Sequence, residues 1–215
     1  MRLKLPRFYP ILDSELCGRR GLNVLAAAEA ILEAGAVILQ LRHKGHFSRD
    51  VFAQAERIAQ ACASAGAIFI VNDRADMALL LAAGLHVGQD DLPPTLARQL
   101  LGPERLLGYS THNETQLRDA AVEPVDYAAI GPIFRTSSKQ NPDPVVGLEE
   151  LRRLLPLTAK PLVAIGGIAR SNALDVIEAG ADSVAILSDL FPGDASVHAV
   201  RTRAEEWLQL LLARK

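Results

Sequence analysis

The sequence lacks most of what would mark a secreted, membrane-bound or nucleic-acid-binding chain. Its 215 residues include only two cysteines, Cys17 and Cys62. Their spacing suits neither a disulfide framework nor a metal site, which points to a reducing compartment. No His/Cys cluster has the spacing of a zinc site. The formal charge is −2, with no long block of one sign, which argues against a nucleic-acid arm or a polybasic membrane anchor. No apolar run is long enough to cross a bilayer. The opening MRLKLPRFYPILD has neither the apolar core nor the small-residue cleavage site of a secretory signal. The expectation is a soluble, cytoplasmic protein with no nucleic-acid and no membrane partner. Homo-oligomerisation stays open.

Almost half of the residues, 49%, are hydrophobic, enough for a sizeable core. No linker or composition break divides the chain, so a single domain over residues 1–215 is expected. One pattern recurs. Ala34-Gly35-Ala36, Ala65-Gly66-Ala67, Ala83-Gly84 and Ala179-Gly180-Ala181 each close a helical pattern and open an apolar run. A helix that ends at Gly and passes directly into a strand is the αβ loop of a repeating βα unit. This places strands near 8–12, 36–42, 67–72, 85–88, 105–109, 126–131, 161–165 and 183–187. Helices lie between them, and a last one, carrying Trp207, runs from about 198 to 213. The fold predicted is a (β/α)8 barrel, with its chemistry at the C-terminal ends of the strands.

The strand ends supply the candidate residues. Asp13 closes the first, as a helix cap or an ion-pair partner. Gln40, Arg42 and Lys44 alternate at the end of the second, so they share one side of an extended segment, and two cations with an amide suit an anion. Asn72-Asp73-Arg74 ends the third; Asn72 could equally cap a helix, and Asp73 with Asp76 could be first-turn acids. The fourth ends His86-Val87-Gly88-Gln89-Asp90-Asp91. His86 reads as a packed, hydrogen-bonded residue. The doubled carboxylate, with Asp73 nearby, reads as a hard-cation site of the kind Mg2+ shares with substrate phosphates. Ser110 and His112 follow the fifth strand, but the strained G-x-S-x-G elbow is absent, so Ser110 reads as a ligand contact or a cap. The sixth strand leads into the longest irregular stretch, 131–147, which carries Thr136, Ser137, Ser138 and Lys139, groups suited to phosphate. After the seventh strand come Gly166-Gly167, either a tight turn or a phosphate cup, and a polar cap candidate at Ser171-Asn172. The eighth ends at Leu187-Ser188, and the loops after strands 7 and 8 are the usual phosphate site of such barrels.

In this order, QLRHK, NDR, HVGQDD, GYSTH, GPIFRTSSK, VAIGGI and ILS closely resemble the thiamine-phosphate synthase (thiamine-phosphate pyrophosphorylase) family over almost the whole chain. The resemblance implies a transferase of thiamine biosynthesis. Hydroxymethylpyrimidine diphosphate loses pyrophosphate through a dissociative transition state, and the nitrogen of a thiazole phosphate takes its place to give thiamine phosphate. By the same resemblance Gln40, Arg42, Lys44, Asn72 and Lys139 contact the pyrimidine diphosphate, with Arg42, Lys44 and Lys139 acting on the leaving group. Asp73 and Asp91 hold Mg2+, and Ser110 contacts the pyrimidine substrate. Thr136 and Ser138, with the backbone at Gly167, Leu187 and Ser188, form the thiazole-phosphate pocket. Counting along the family's GQxD pattern selects Asp91 over Asp90; an extended segment would also turn only one of the two toward Asp73.

This sequence departs from the family pattern at His43, Arg135 and Ser138, where Glu, Pro and Thr are usual. It also lacks one residue before Leu85. Competing readings are a thiazole tautomerase-like relative, another phosphate-binding barrel that uses a general acid and base, and a non-catalytic barrel that binds a phosphate ligand.

Overall fold

A computed structural model describes residues 3–136, 143–193 and 196–212. Eight parallel strands close on themselves in sequence order: β1 (Phe8–Asp13), β2 (Ile38–Arg42), β3 (Ile68–Asn72), β4 (Gly84–Val87), β5 (Leu107–Thr111), β6 (Tyr127–Ile130), β7 (Leu162–Ile165) and β8 (Ser183–Ile186). The helices around them are α1 (Ser14–Arg19), α2 (Val24–Glu33), α3 (Arg49–Ser64), α4 (Ala75–Leu80), α5 (Pro94–Leu101), α6 (Glu114–Val122), α7 (Gly147–Leu154), α8 (Ala173–Glu178) and α9 (Val197–Leu212). This is the (β/α)8 barrel that the repeated Ala-Gly pattern predicts.

Alternation along the strands divides the core in two. Phe8, Leu12, Leu39, Leu41, Val71 and Leu85 point outward into the layer beneath the helices. Tyr9, Ile11, Ile38, Ile70, Tyr127, Ala129, Val163 and Ala185 fill the barrel itself, as the period of two requires. Trp207 of α9 is fully buried. Its ring stacks on Phe8 at 6.2 Å between centroids, and its indole N–H donates to Asp189 at 2.9 Å. That fixes it as part of the outer layer.

The fifth strand begins two residues later than the sequence suggests. The Arg98 guanidinium donates to the carbonyls of Gly102 and Arg105 at 3.0 and 2.8 Å and so holds 102–105 as a loop. The ladder then starts at Leu107, whose N–H donates to Asp126 at 2.7 Å. The cap expected for α8 is also different. Asn172 precedes the helix, but its side chain makes no cap bond to it. It turns back instead, accepting from Ala169 N at 2.8 Å and donating to the Gly167 carbonyl at 3.1 Å. Asn72 does not cap α4, whose preceding residue is Arg74.

Candidate active site

The C-terminal ends of the strands surround a cavity of about 540 Å3. Of the predicted site residues, Gln40, Arg42, Lys44, Asn72, Asp73, Asp91, Ser110, Thr136, Gly167, Leu187 and Ser188 all line it. Ser138 and Lys139 lie outside the described residues.

Both cations of the QLRHK segment meet carboxylates from neighbouring strands. Arg42 pairs with Asp13, directly opposite it in the β1–β2 register. Asp13 also accepts from Leu16 N at 2.7 Å and so caps α1; the two readings of this residue are both correct. Lys44 pairs with Asp73. Asp73 has φ of +63°, a left-handed conformation that Asp tolerates better than most residues. Its N–H donates to the His86 carbonyl at 2.8 Å, which ties the end of β3 to β4.

Asp91 faces Asp73, for a different reason from the one argued from sequence. Residues 89–92 are a turn, not an extended segment. Asp91 N donates to Gly88 O at 3.4 Å, and Asp91 Oδ2 accepts from Gly88 N at 2.7 Å, so the turn folds this carboxylate back over the cavity. Burial first, and the neighbouring Asp73 carboxyl as well, push the Asp91 carboxyl above its ordinary range. Two carboxyls that crowd each other beside a phosphate-sized space form an all-oxygen donor set that fits Mg2+. Among the described residues no cluster of three or more His, Cys, Asp or Glu side chains could hold a metal ion. A cation here would therefore complete its shell with substrate oxygens and water. Asn72 Nδ2 is buried without a hydrogen-bond partner, which suits a group waiting for a ligand acceptor.

Across the cavity, Gly166 and Gly167 adopt φ of +97° and +66°. A Cβ on Gly166 would lie 2.6 Å from Pro132 Cα, and one on Gly167 would lie 2.5 Å from the Arg135 carbonyl oxygen. Both glycines are therefore required by the loop after β6, which packs directly on them, in addition to any role with a ligand. Thr136 follows that contact and lines the same cavity as Gly167.

Sequence reasoning read His86 as a packed, hydrogen-bonded residue, which it is, but missed the polar floor of the cavity to which it belongs. Gln40 Nε2 donates to Tyr9 Oη at 3.0 Å. Tyr9 and Tyr127 hydroxyls lie 2.6 Å apart. Tyr127 Oη is 3.1 Å from His86 Nδ1, and His86 Nε2 is 2.8 Å from Ser110 Oγ. The partner of Ser110 is thus His86 from β4. His112 instead meets the Gly131 carbonyl at 2.6 Å. Burial raises the Tyr9 hydroxyl to about 12 and Tyr127 well above its usual range. It lowers His86 to about 4, against the upward pull of Asp91. A histidine so reluctant to take a proton is a poor general base for Ser110, and a neutral tyrosine stands where a triad would have a carboxylate. Two signals for this floor were in the sequence: Tyr9 alternates with Ile11, and Tyr127 with Ala129, in barrel-facing phase.

Comparison with known proteins agrees with this architecture. A family model described as thiamine monophosphate synthase matches residues 8–190. The chain is 48% identical over 212 residues to a thiamine-phosphate synthase of Koribacter versatilis, covering 97% of each. It is 43% identical to the one of Laribacter hongkongensis, covering 84% of this chain and 85% of that protein. The solved thiamine phosphate pyrophosphorylase from Pyrococcus furiosus superposes with a TM-score of 0.82 at 29% identity, covering 96% of both chains. Matches of this identity and extent, along the whole barrel that carries the cavity, make the chain a member of the thiamine monophosphate synthase family.

Proposed function

We propose that this enzyme joins hydroxymethylpyrimidine diphosphate to a thiazole phosphate, releasing pyrophosphate and forming thiamine phosphate. The observation that carries the reading is the meeting of Arg42, Lys44, Asp73 and Asp91 on one cavity wall. That wall provides both charge for a diphosphate and oxygen donors for its counter-ion.

The reaction breaks the bond between the pyrimidine methylene carbon and the diphosphate oxygen. The electron pair leaves with the diphosphate, and the thiazole nitrogen then attacks the cationic methylene. Arg42, steadied by Asp13, offers a planar fork to the leaving group. Lys44 adds a mobile point charge that can move from Asp73 to the diphosphate. Lys139 is assigned to the same negative charge. Asp73 and Asp91 would hold Mg2+, which would supply further neutralisation of the charge that grows on the diphosphate. Gln40, Asn72 and Ser110 hold the pyrimidine ring. Thr136 and Ser138, with backbone groups at Gly167, Leu187 and Ser188, hold the thiazole phosphate, so that its nitrogen waits in line with the breaking bond. No protein nucleophile is required, which agrees with the poor basicity of His86 beside Ser110.

The test is to incubate purified protein with both substrates and follow thiamine phosphate and pyrophosphate together, with and without a chelator. Equal and metal-dependent formation of both supports the reading. Pyrophosphate that appears without thiamine phosphate, or no product at all, would reject it.

A further inference from the structure

The bonds beneath the cavity form one unbroken chain from Gln40 through Tyr9, Tyr127 and His86 to Ser110. Each internal member of this chain has a single proton to give. Gln40 donates its amide N–H to Tyr9, and every link is filled with each hydroxyl proton used once when the Tyr9 proton goes to Tyr127 and the Tyr127 proton to His86 Nδ1. The neutral imidazole then carries its hydrogen on Nε2 and donates to Ser110 Oγ. The Ser110 proton is left for the cavity, and Gln40 is left with its carbonyl oxygen and one amide hydrogen.

We propose that Tyr9, Tyr127 and His86 act as positioning residues that free the Gln40 carbonyl to accept from, and the Ser110 hydroxyl to donate to, the ring they hold. A heteroaromatic ring with an exocyclic amine and an unprotonated ring nitrogen satisfies both ends at once. The oxo counterpart, with a carbonyl and a ring N–H, has to use the second amide hydrogen of Gln40 and the remaining lone pair of Ser110, and so leaves the Gln40 carbonyl and the Ser110 proton without a partner on the ring. Such mismatches are costly in a desolvated site, because each leaves a polar group unpaired. The relay thus selects the amino form of the pyrimidine, and this rests on the pyrimidine site proposed above.

A second feature shows that the relay is built into the barrel. Gly108 lies opposite both His86 and Tyr127 in the strand register. A Cβ there would fall well inside contact distance of His86 Nδ1 and of the Tyr127 ring and hydroxyl. The missing side chain makes the room in which His86 meets Tyr127. Strand interiors otherwise disfavour glycine, and close approach is a recognised reason to accept it.

The experiment combines a spectroscopic and a kinetic reading. In protein labelled with 15N-histidine, with the His86 signals assigned by their loss in His86→Gln, the ring proton of the resting enzyme is expected on Nε2. A proton on Nδ1 would overturn the assigned sense. This measurement needs no turnover, so it stands apart from the fate of the proposed reaction. In Tyr127→Phe and Gly108→Ala, KM for the pyrimidine diphosphate is expected to rise about three- to tenfold, the scale of one neutral hydrogen bond. KM for the thiazole phosphate should stay unchanged. Inhibition by the 4-amino and 4-oxo pyrimidine alcohols is expected to differ in wild type and to converge in Tyr127→Phe. Variants that lose thermal stability yet keep the wild-type pyrimidine KM and the wild-type preference between these alcohols would reduce the tyrosines to core packing and reject the relay.

Discussion

Asp13 binds two partners at once, the guanidinium of Arg42 and the backbone N–H of Leu16. The orientation of a cavity cation is therefore joined to the entry of α1. Asp13→Asn keeps an acceptor for Leu16 and removes the charge opposite Arg42. It should lower kcat/KM for the pyrimidine diphosphate about tenfold, the loss expected when a charge-assisted bond no longer holds the fork. Asp13→Ala loses the cap as well and should melt earlier, by about 1 kcal/mol of additional destabilisation. Calorimetry and steady-state kinetics on the pair separate the two functions. Wild-type kinetics in Asp13→Asn would mean that Arg42 needs no partner.

The turn at 89–92 puts Asp91 over Asp73, so the neighbouring acids should respond differently. Asp91→Asn is expected to cut Mg2+-activated kcat/KM on the order of a hundredfold or more, since the metal is worth several kcal/mol to the developing charge. Asp90→Asn should cost little. Titrating Mg2+ against activity in both variants decides the matter, and loss of activation in Asp90→Asn alone would remove Asp91 from the site.

Lys139→Ala should act mainly on kcat, because its assigned role grows with the charge on the leaving diphosphate. Thr136→Ala should act mainly on KM for the thiazole phosphate, whose phosphate is a spectator. Initial-rate kinetics with each substrate varied in turn will tell. If Lys139→Ala altered only the thiazole KM, the two phosphate assignments would have to be exchanged.

Burial pushes the thiols of Cys17 and Cys62 from about 9 up to about 12. Below pH 9 they are protonated whether the chain is folded or not, and they cost nothing. Between pH 9 and 12 the unfolded chain ionises first, so folding stability should fall as pH rises through that window. Denaturant melts at pH 8, 9.5 and 10.5 should show the decline, and it should be smaller in a Cys17→Ala/Cys62→Ala variant. At pH 8 the native thiols should alkylate at least about a hundredfold more slowly than the denatured ones. Rapid native alkylation would place the cysteines nearer the surface than the barrel puts them.

Periodicity was enough for the fold, because four of the αβ junctions carry the same helix-Gly-strand transition and buried strands are short apolar runs. It failed at the start of β5, where Arg98 holds 102–105 out of the ladder through backbone carbonyls, a contact no pattern encodes. In the site, charged residues at strand ends were visible because the barrel sends them all to one rim. The floor was not. Tyr9 and Tyr127 look like core residues along the chain, and their hydroxyls become meaningful only when strands β1 and β6, 118 positions apart in the pair they form, face each other across the barrel. Gly108 looks like a weak strand residue until its neighbours occupy the space above it.

The stacking of Phe8 on Trp207 and the pairing of β1 with β8 give the barrel a particular history on the ribosome. The first strand leaves the ribosome well before β8, one of its two neighbours, and before the ring that covers it. Until residues 183–212 have left the exit tunnel, the nascent sheet is an open ribbon with two unpaired edges. Such edges are sites of mispairing with other chains. Translation stalled before β8 should therefore yield a chain that depends on chaperones for its solubility, while the released chain closes its own seam.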